Sequence, residues 1–191
     1  MNERILRVLM IAAIAAVPAC SWAGTFTIVP EVSVVMFRAP YMEGFTLGTF
    51  SAFAGTMDID EGRKNLTNLT AQVDLRSVDT LNSQRNWDLQ GADLFDTQRF
   101  PTAEFQSKRI EGSKVVGDLT LKGKTKEVTL EYRMADVFQD KAGRTVAGLT
   151  LRGQINRKDF GIVYNRMLEK NTPFMSENVL VEAELAGILM K

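Results

Sequence analysis

"VVGDLTLKGKTKEVTLEYRM", residues 115–134, alternates twice. Val115, Gly117, Leu119 and Leu121 take every second position, with Val116, Asp118, Thr120 and Lys122 between them. After a short polar break, Val128, Leu130, Tyr132 and Met134 alternate with Thr129, Glu131 and Arg133. A strand turns successive side chains to opposite faces, so each half reads as a strand with one dry and one wet face, the pattern of antiparallel sheet. The joint Leu121-Lys122-Gly123-Lys124-Thr125 is short and holds a glycine, which reads as a tight hairpin.

The pattern extends in both directions. Leu69, Ala71, Val73 and Leu75 alternate with Thr70, Gln72, Asp74 and Arg76, and Val179, Val181, Ala183 and Leu185 with Leu180, Glu182 and Glu184. Asp60-Glu61-Gly62-Arg63-Lys64 and Gln139-Asp140-Lys141-Ala142-Gly143 are further turns. Strands are expected near residues 25–29, 32–38, 48–60, 66–76, 103–110, 114–122, 126–136, 145–156 and 178–188. The long 48–60 stretch, with Gly48 and Gly55, is expected to bend or bulge. Eight or nine sequential strands bury one apolar face as a sandwich or as a barrel. Long strands and short turns favour an up-and-down barrel over a Greek-key sandwich. The expected fold is therefore all-β: an eight-stranded antiparallel barrel with a short helical insertion near residues 84–95.

Two segments break the alternation. Residues 81–101 carry Trp87, Leu89, Leu94 and Phe95 at irregular, partly helical spacing and end on Phe100-Pro101. Residues 157–177 carry Phe160, Tyr164, Met167, Phe174 and Met175 in a long connection. Long irregular loops in a small domain are uncommon and often functional. An eight-stranded barrel is either filled by its own side chains or holds one small ligand. Aromatic and Met-rich loops at the rim would close or gate the mouth, and methionine suits a flexible apolar guest.

The chain has 191 residues with 23 basic and 23 acidic side chains. That balance gives no field for nucleic acid, and no cluster of basic residues restores one. MNERILR, then VLMIAAIAAVPA, then Ser21-Trp22-Ala23 before Gly24, reads as a bacterial-type secretory signal peptide over residues 1–23, leaving a domain over 24–191. A soluble periplasmic protein is expected. The alternative is a lipoprotein anchored through Cys20, since Val17-Pro18-Ala19-Cys20 loosely resembles a lipobox. Membrane contact is expected only in that case. Cys20 is the only cysteine, so no disulfide forms within the chain. There is no histidine, which removes Ser-His-Asp and Cys-His catalysis and any histidine metal site. No catalytic residue, metal or cofactor is expected.

Five landmarks stand in order along residues 25–188. They are Ser33 with Phe37; Phe50, Phe53 and Gly55; Arg85, Leu89, Phe95, Pro101 and Phe105; Gly117-Asp118-Leu119-Thr120-Leu121-Lys122-Gly123; and Ile155-Asn156-Arg157-Lys158-Asp159-Phe160-Gly161-Ile162. In these the chain resembles the YceI-like family, whose members include periplasmic polyisoprenoid-binding proteins. The resemblance implies a lipocalin-like barrel that holds an amphiphilic ligand, such as an isoprenoid or quinone tail, and it does not imply catalysis. Members often carry histidines in the first strand and in an R-D-x-H-L stretch. Here Val32 and Tyr41 stand at the former positions, and Asn86 and Asp88 replace the latter Asp and His, so polar anchoring of a headgroup there does not carry over.

The expected function is sequestration of an isoprenoid, quinone or fatty-acyl lipid in the bore. The candidate ligand contacts are Phe37, Phe53, Trp87, Leu89, Leu94, Phe95, Phe105, Phe160, Met167, Phe174 and Met175. Each has a plainer reading: the insertion as an end cap without ligand contact, Phe160-Gly161 as a packed turn, Arg85 as a loop brace, and Asp58/Asp60 and Asp93/Asp96 as caps and turn residues. The competing function is a filled-barrel envelope protein acting through protein contacts. A homodimer is compatible with either.

Overall fold

The computed structural model describes residues 23–41, 44–60, 62, 65–164 and 175–190. Its strands are β1 (Ala23–Ile28), β2 (Val34–Tyr41), β3 (Gly44–Phe50), β4 (Phe53–Asp60), β5 (Asn65–Asp74) and β6 (Val78–Asp79). Helix α1 (Ser83–Gln90) follows. Then come β7 (Thr102–Glu111), β8 (Lys114–Leu121), β9 (Lys124–Met134), β10 (Phe138–Gln139), β11 (Thr145–Asn156) and β12 (Asn178–Leu189).

The alternating hairpin forms as expected. β8 and β9 pair from Lys114↔Glu131 to Leu121↔Lys124 around a two-residue turn. Lys122 and Gly123 both have positive φ, 51° and 70°, the twist a two-residue hairpin needs. From here each strand of the ring pairs with the next ring strand along the chain: β9 with β11, β8 with β7, β7 with β5, β5 with β4, and β4 with β1. β12 pairs with both β11 and β1, and the ring of eight antiparallel strands closes. The expected up-and-down barrel is the one observed.

Three long strands of the ring are interrupted on one side. β1 gives way to a 3-10 turn at Pro30–Val32 before β2 continues along β12. The chain breaks again at Ser51-Ala52, between β3 and β4, and at Leu75–Ser77, between β5 and β6. The bend expected within 48–60 thus falls at Ser51-Ala52 rather than at Gly48 or Gly55. Its cause is the neighbouring chain: Ala52 N–H donates to Ser77 Oγ at 3.1 Å, and Asp74 N–H donates to the Ala52 carbonyl at 2.8 Å. Both strands kink at one level, and each satisfies the other's backbone.

The two ends of the barrel differ. At the lower end the connections around residues 61–64 and 112–113 are short, and large side chains fill the interior. Phe26, Met57, Ile59, Leu66, Val115 and Leu149 are almost wholly buried there. Leu66 and Leu69 both face inward despite their odd spacing, because a register shift at Asp58/Ile59 resets the phase. The upper end receives both long interruptions. The β5–β7 ladder stops at Asp74↔Thr102, and β6 pairs only with β3 among the described residues. A seam is therefore left between β6 and β7, and residues 80–101 occupy it.

The β8–β9 hairpin tip is tied to that insertion. Lys122 Nζ donates to the Ala92 carbonyl at 2.7 Å, and the Phe100 ring lies over Gly123. Replacing Gly123 by alanine would force a side chain into a left-handed backbone and set its Cβ 2.5 Å from Phe100 Cε1. Gly123→Ala is expected to destabilise the domain by about 1–3 kcal/mol. The check is urea unfolding, with a lowered midpoint and an unchanged slope.

Candidate functional site

Above the packed lower core the interior is hollow. A cavity of about 220 Å³ runs up the barrel, more than ten times what one water requires. Its middle is walled by small inward side chains, among them Ala71, Ala103, Val179, Val181 and Ala183. These sit on the same alternating faces that carry large residues lower down. Arg157 and Glu182 are the charged residues on its wall; the other lining residues are apolar.

The upper wall is built by the insertion. Asn82 caps α1, its Oδ1 accepting from Arg85 N–H at 2.9 Å. The helix turns Leu89 inward against Phe37, Ala39 and Val78. The chain then doubles back through Phe95 N–H to the Leu89 carbonyl and Thr97 N–H to the Gln90 carbonyl, both at 3.0 Å. This return brings Leu94 and Phe95 into the cavity wall. Phe95 meets Phe37 edge-on at 6.3 Å between ring centroids and Phe50 at 6.2 Å, while Phe37 and Phe50 lie 5.8 Å apart. Three aromatic rings from β2, β3 and the insertion thus close on one another at the top of the cavity.

Of the candidate contacts, Phe37, Phe53, Leu89, Leu94, Phe95, Phe105 and Met175 line the cavity. Two do not. Trp87 is 73% exposed, because an eight-residue helix can bury only one face and that face carries Leu89. Phe160 is buried to 1%, but in packed core among Leu75, Leu121, Ile155 and Ile162 rather than on the cavity wall. The 3-10 turn Arg157–Phe160 wedges it there, and Gly161 ends the turn in the left-handed conformation at φ 74°. Met167 and Phe174 lie outside the described residues. Asp58 accepts from Thr25 and Asn68, and Asp60 from Gly62 N–H, which makes them ladder and turn residues.

Most of the wall was not among the candidates, and two of those residues stand out. Phe50 completes the aromatic trio. Arg157 follows Leu149, Leu151 and Ile155 at even spacing, and although it opens the 3-10 turn after β11 it keeps that strand's inward phase. It is buried to 3%. Its Nε donates to the Ser176 carbonyl at 2.8 Å, and its Nη1 donates to the carbonyls of Ile162 and Tyr164 at 2.6 and 2.8 Å. Burial pulls its pKa below the ordinary arginine value, with the Glu177 charge opposing.

A polar clasp fastens the insertion from outside. Asn86 Oδ1 accepts from Thr80 N–H at 2.8 Å and from Thr80 Oγ1 at 2.7 Å, and its Nδ2 donates to Asp79 Oδ1 at 3.0 Å. Asp79 also accepts from Leu81 N–H at 2.8 Å. These two donors hold the Asp79 carboxyl below its ordinary value, the Asn86 amide most of all. Asn86→Ala leaves the Thr80 N–H without its acceptor and Thr80 Oγ1 with only the Asn82 carbonyl at 3.5 Å, and is expected to cost about 1–3 kcal/mol, read as a lower unfolding midpoint. The pH dependence has a definite sign. A depressed carboxyl contributes stability above its unfolded pKa and loses it as pH falls through the folded value. The clasp should therefore hold at neutral pH and loosen only below about pH 4. Trp87 fluorescence anisotropy in a Trp22→Phe background, followed from pH 7 downward, checks this.

The comparisons with known proteins agree with this architecture. A model of the YceI-like domain matches residues 26–186. UPF0312 proteins of Staphylococcus epidermidis and Staphylococcus aureus are 35% and 34% identical over 137 residues, covering 71% of this chain and 80% of each relative. Among solved structures, BcnA of Burkholderia cenocepacia aligns with a TM-score of 0.70 at 24% identity, over 83% of this chain and 98% of that one. A YCEI protein of Campylobacter jejuni aligns at 0.66 and 25%, over 75% and 85%. A polyisoprenoid binding domain from Saccharophagus degradans, implicated in plant cell wall breakdown, aligns at 0.65 and 15%, over 86% and 98%. With its family pattern spanning nearly the whole barrel, this chain belongs to the YceI-like domain family.

Proposed function

We propose that this protein sequesters the apolar tail of an amphiphilic lipid in the barrel and acts as a carrier rather than a catalyst. The observation that carries this reading is the cavity itself, an apolar space under an aromatic cover inside a closed ring of strands. Each methylene withdrawn from water is worth about 0.8 kcal/mol, so a long tail binds tightly by burial alone. Selectivity then comes from the length and width of the bore. An isoprenoid, a quinone tail and a fatty-acyl chain all meet these demands. The isoprenoid is favoured by the fold shared with a polyisoprenoid binding domain. The filled-barrel alternative is disfavoured by the same cavity.

The site of action we propose is the periplasm, reached through the amino-terminal signal segment, with anchoring through Cys20 as the second possibility. Intact mass of the exported protein separates the two: cleavage before Gly24 gives the soluble form, and a diacylglyceryl mass on Cys20 gives the lipoprotein.

The main test is detergent-free purification of the exported protein followed by solvent extraction and mass spectrometry. A stoichiometric isoprenoid, quinone or fatty-acyl species is the expected result. Protein that is empty, and stays empty after incubation with such lipids, would overturn the carrier reading. Ala183→Trp places an indole in the middle of the cavity and is expected to abolish lipid co-purification while the circular dichroism stays that of a β-barrel.

A further inference from the structure

We infer that Arg157 is the polar anchor of this cavity, and that the amphiphile it receives carries an anionic oxygen, phosphate or carboxylate, beside its apolar tail. The inference rests on the lipid-carrier reading and deepens it by naming the headgroup chemistry.

The starting point is an unmet donor. Three N–H bonds of the Arg157 guanidinium reach backbone carbonyls, one through Nε and two through Nη1. Nη2 is buried and has no hydrogen-bond partner among the described residues. A guanidinium carries five donors in a fixed fork, so the two hydrogens on Nη2 are those left over. Burying such a group unpaired costs stability. Folded chains keep such donors where something else supplies the acceptor.

The second point is charge. The three acceptors of Arg157 are neutral carbonyls, which satisfy hydrogen bonds without balancing a cation. The nearby carboxylates are committed elsewhere. Glu177 is paired with Lys158. Glu182, the other charged residue of the wall, pairs with Arg152 at 3.4 Å, and Arg152 is exposed. Arg157 makes no ion pair with any described residue. The Glu177 charge reaches Arg157 only at a distance and is shared with Lys158; a buried cation with no direct ion pair among the described residues is expensive, and an anion brought in with a ligand relieves that cost where a neutral group does not.

The third point is position. Arg157 stands at the upper end of β11, where the cavity is roofed by Phe95 and Leu94. Ile155, two residues below it, and Val179 on the facing strand are apolar. A headgroup at Arg157 therefore leaves its tail pointing down the bore, toward Leu151, Leu185 and the packed floor. A quinone carbonyl could accept from Nη2, but it would leave the charge unbalanced. The geometry selects an acid headgroup over a neutral one.

The test compares chain-matched ligands on delipidated protein. Geranylgeranyl monophosphate is set against geranylgeraniol, and palmitate against methyl palmitate. The parent protein is expected to bind the anion of each pair more tightly by about tenfold or more. In Arg157→Gln that preference should shrink to about twofold or less while affinity for geranylgeraniol holds, and Arg157→Lys should retain part of it. A preference confined to one pair tells phosphate from carboxylate and supports the anchor. Equal binding of acid and neutral forms by the parent protein overturns the anchor and leaves the carrier reading standing. So does a preference that Arg157→Gln does not alter. Failure of all four ligands to bind overturns both. The parent comparison decides the matter even if the variants do not fold.

Discussion

The last strand, β12, holds three neighbours at once, and the barrel exists only because it does. On one side it pairs with β11 without interruption from Asn178↔Asn156 to Ile188↔Val146. The other side is shared, β1 taking Gly187 to Leu189 and β2 taking Leu180 to Glu184. Between them the chain leaves the ladder at Pro30, which has no N–H to donate. Ser33 repairs the gap. Its Oγ donates to the Val29 carbonyl at 2.7 Å and accepts from Ala186 N–H at 2.9 Å, a contact between residues 153 positions apart. Without it the seam between first and last strands would carry unpaired backbone groups and an open edge.

Closure fixes the radius, and the radius makes the interior a choice between filling and holding. Eight strands enclose a space that large side chains just fill. At the lower end they do, with Phe26, Met57, Ile59 and Leu149. Half-way up, the same inward phase carries Ala71, Ala103 and Ala183, and the space stays open. The top cannot be closed by strands, since the ladder between β6 and β7 is missing there. The insertion supplies the cover through one helix face and the return of Leu94 and Phe95. Its outer face is held by Asn86 and Asp79.

The strands were legible because burial on one face writes period two directly into residues such as 115–134 and 179–185. The interruptions were not. They are made by Ser77 reaching Ala52 and Ser33 reaching Ala186, contacts between residues distant in sequence, and no local pattern encodes them. The insertion was legible as a break in the strands, but not which of its residues face the bore: Trp87 and Leu89 are two positions apart on a helix and cannot both point inward, and Leu94 and Phe95 come from the return after α1. Arg157 shows the opposite case. Continuing the alternation of β11 one step past its end gives Arg157 the inward phase, yet a charged residue in a polar run reads as surface until its neighbours are seen. Phe160 followed the strand phase less closely, since the turn that carries it sends the ring into core.

An empty space inside a small domain has a physical cost. A cavity of this size forfeits packing contacts that a filled core would make. Filling it from within is chemically trivial: leucine or phenylalanine at the alanine positions would do so. The barrel instead keeps small residues there, keeps above them a cation that no described residue ion-pairs, and builds a separately clasped cover over both. Each departs from what folding alone favours, and all three lie along one axis. A tail in the bore restores the missing contacts, and an acid at its end meets the missing charge. Contacts and hydrogen bonds are left unmade where the proposed ligand would be, which is the arrangement expected of a fold shaped to bind.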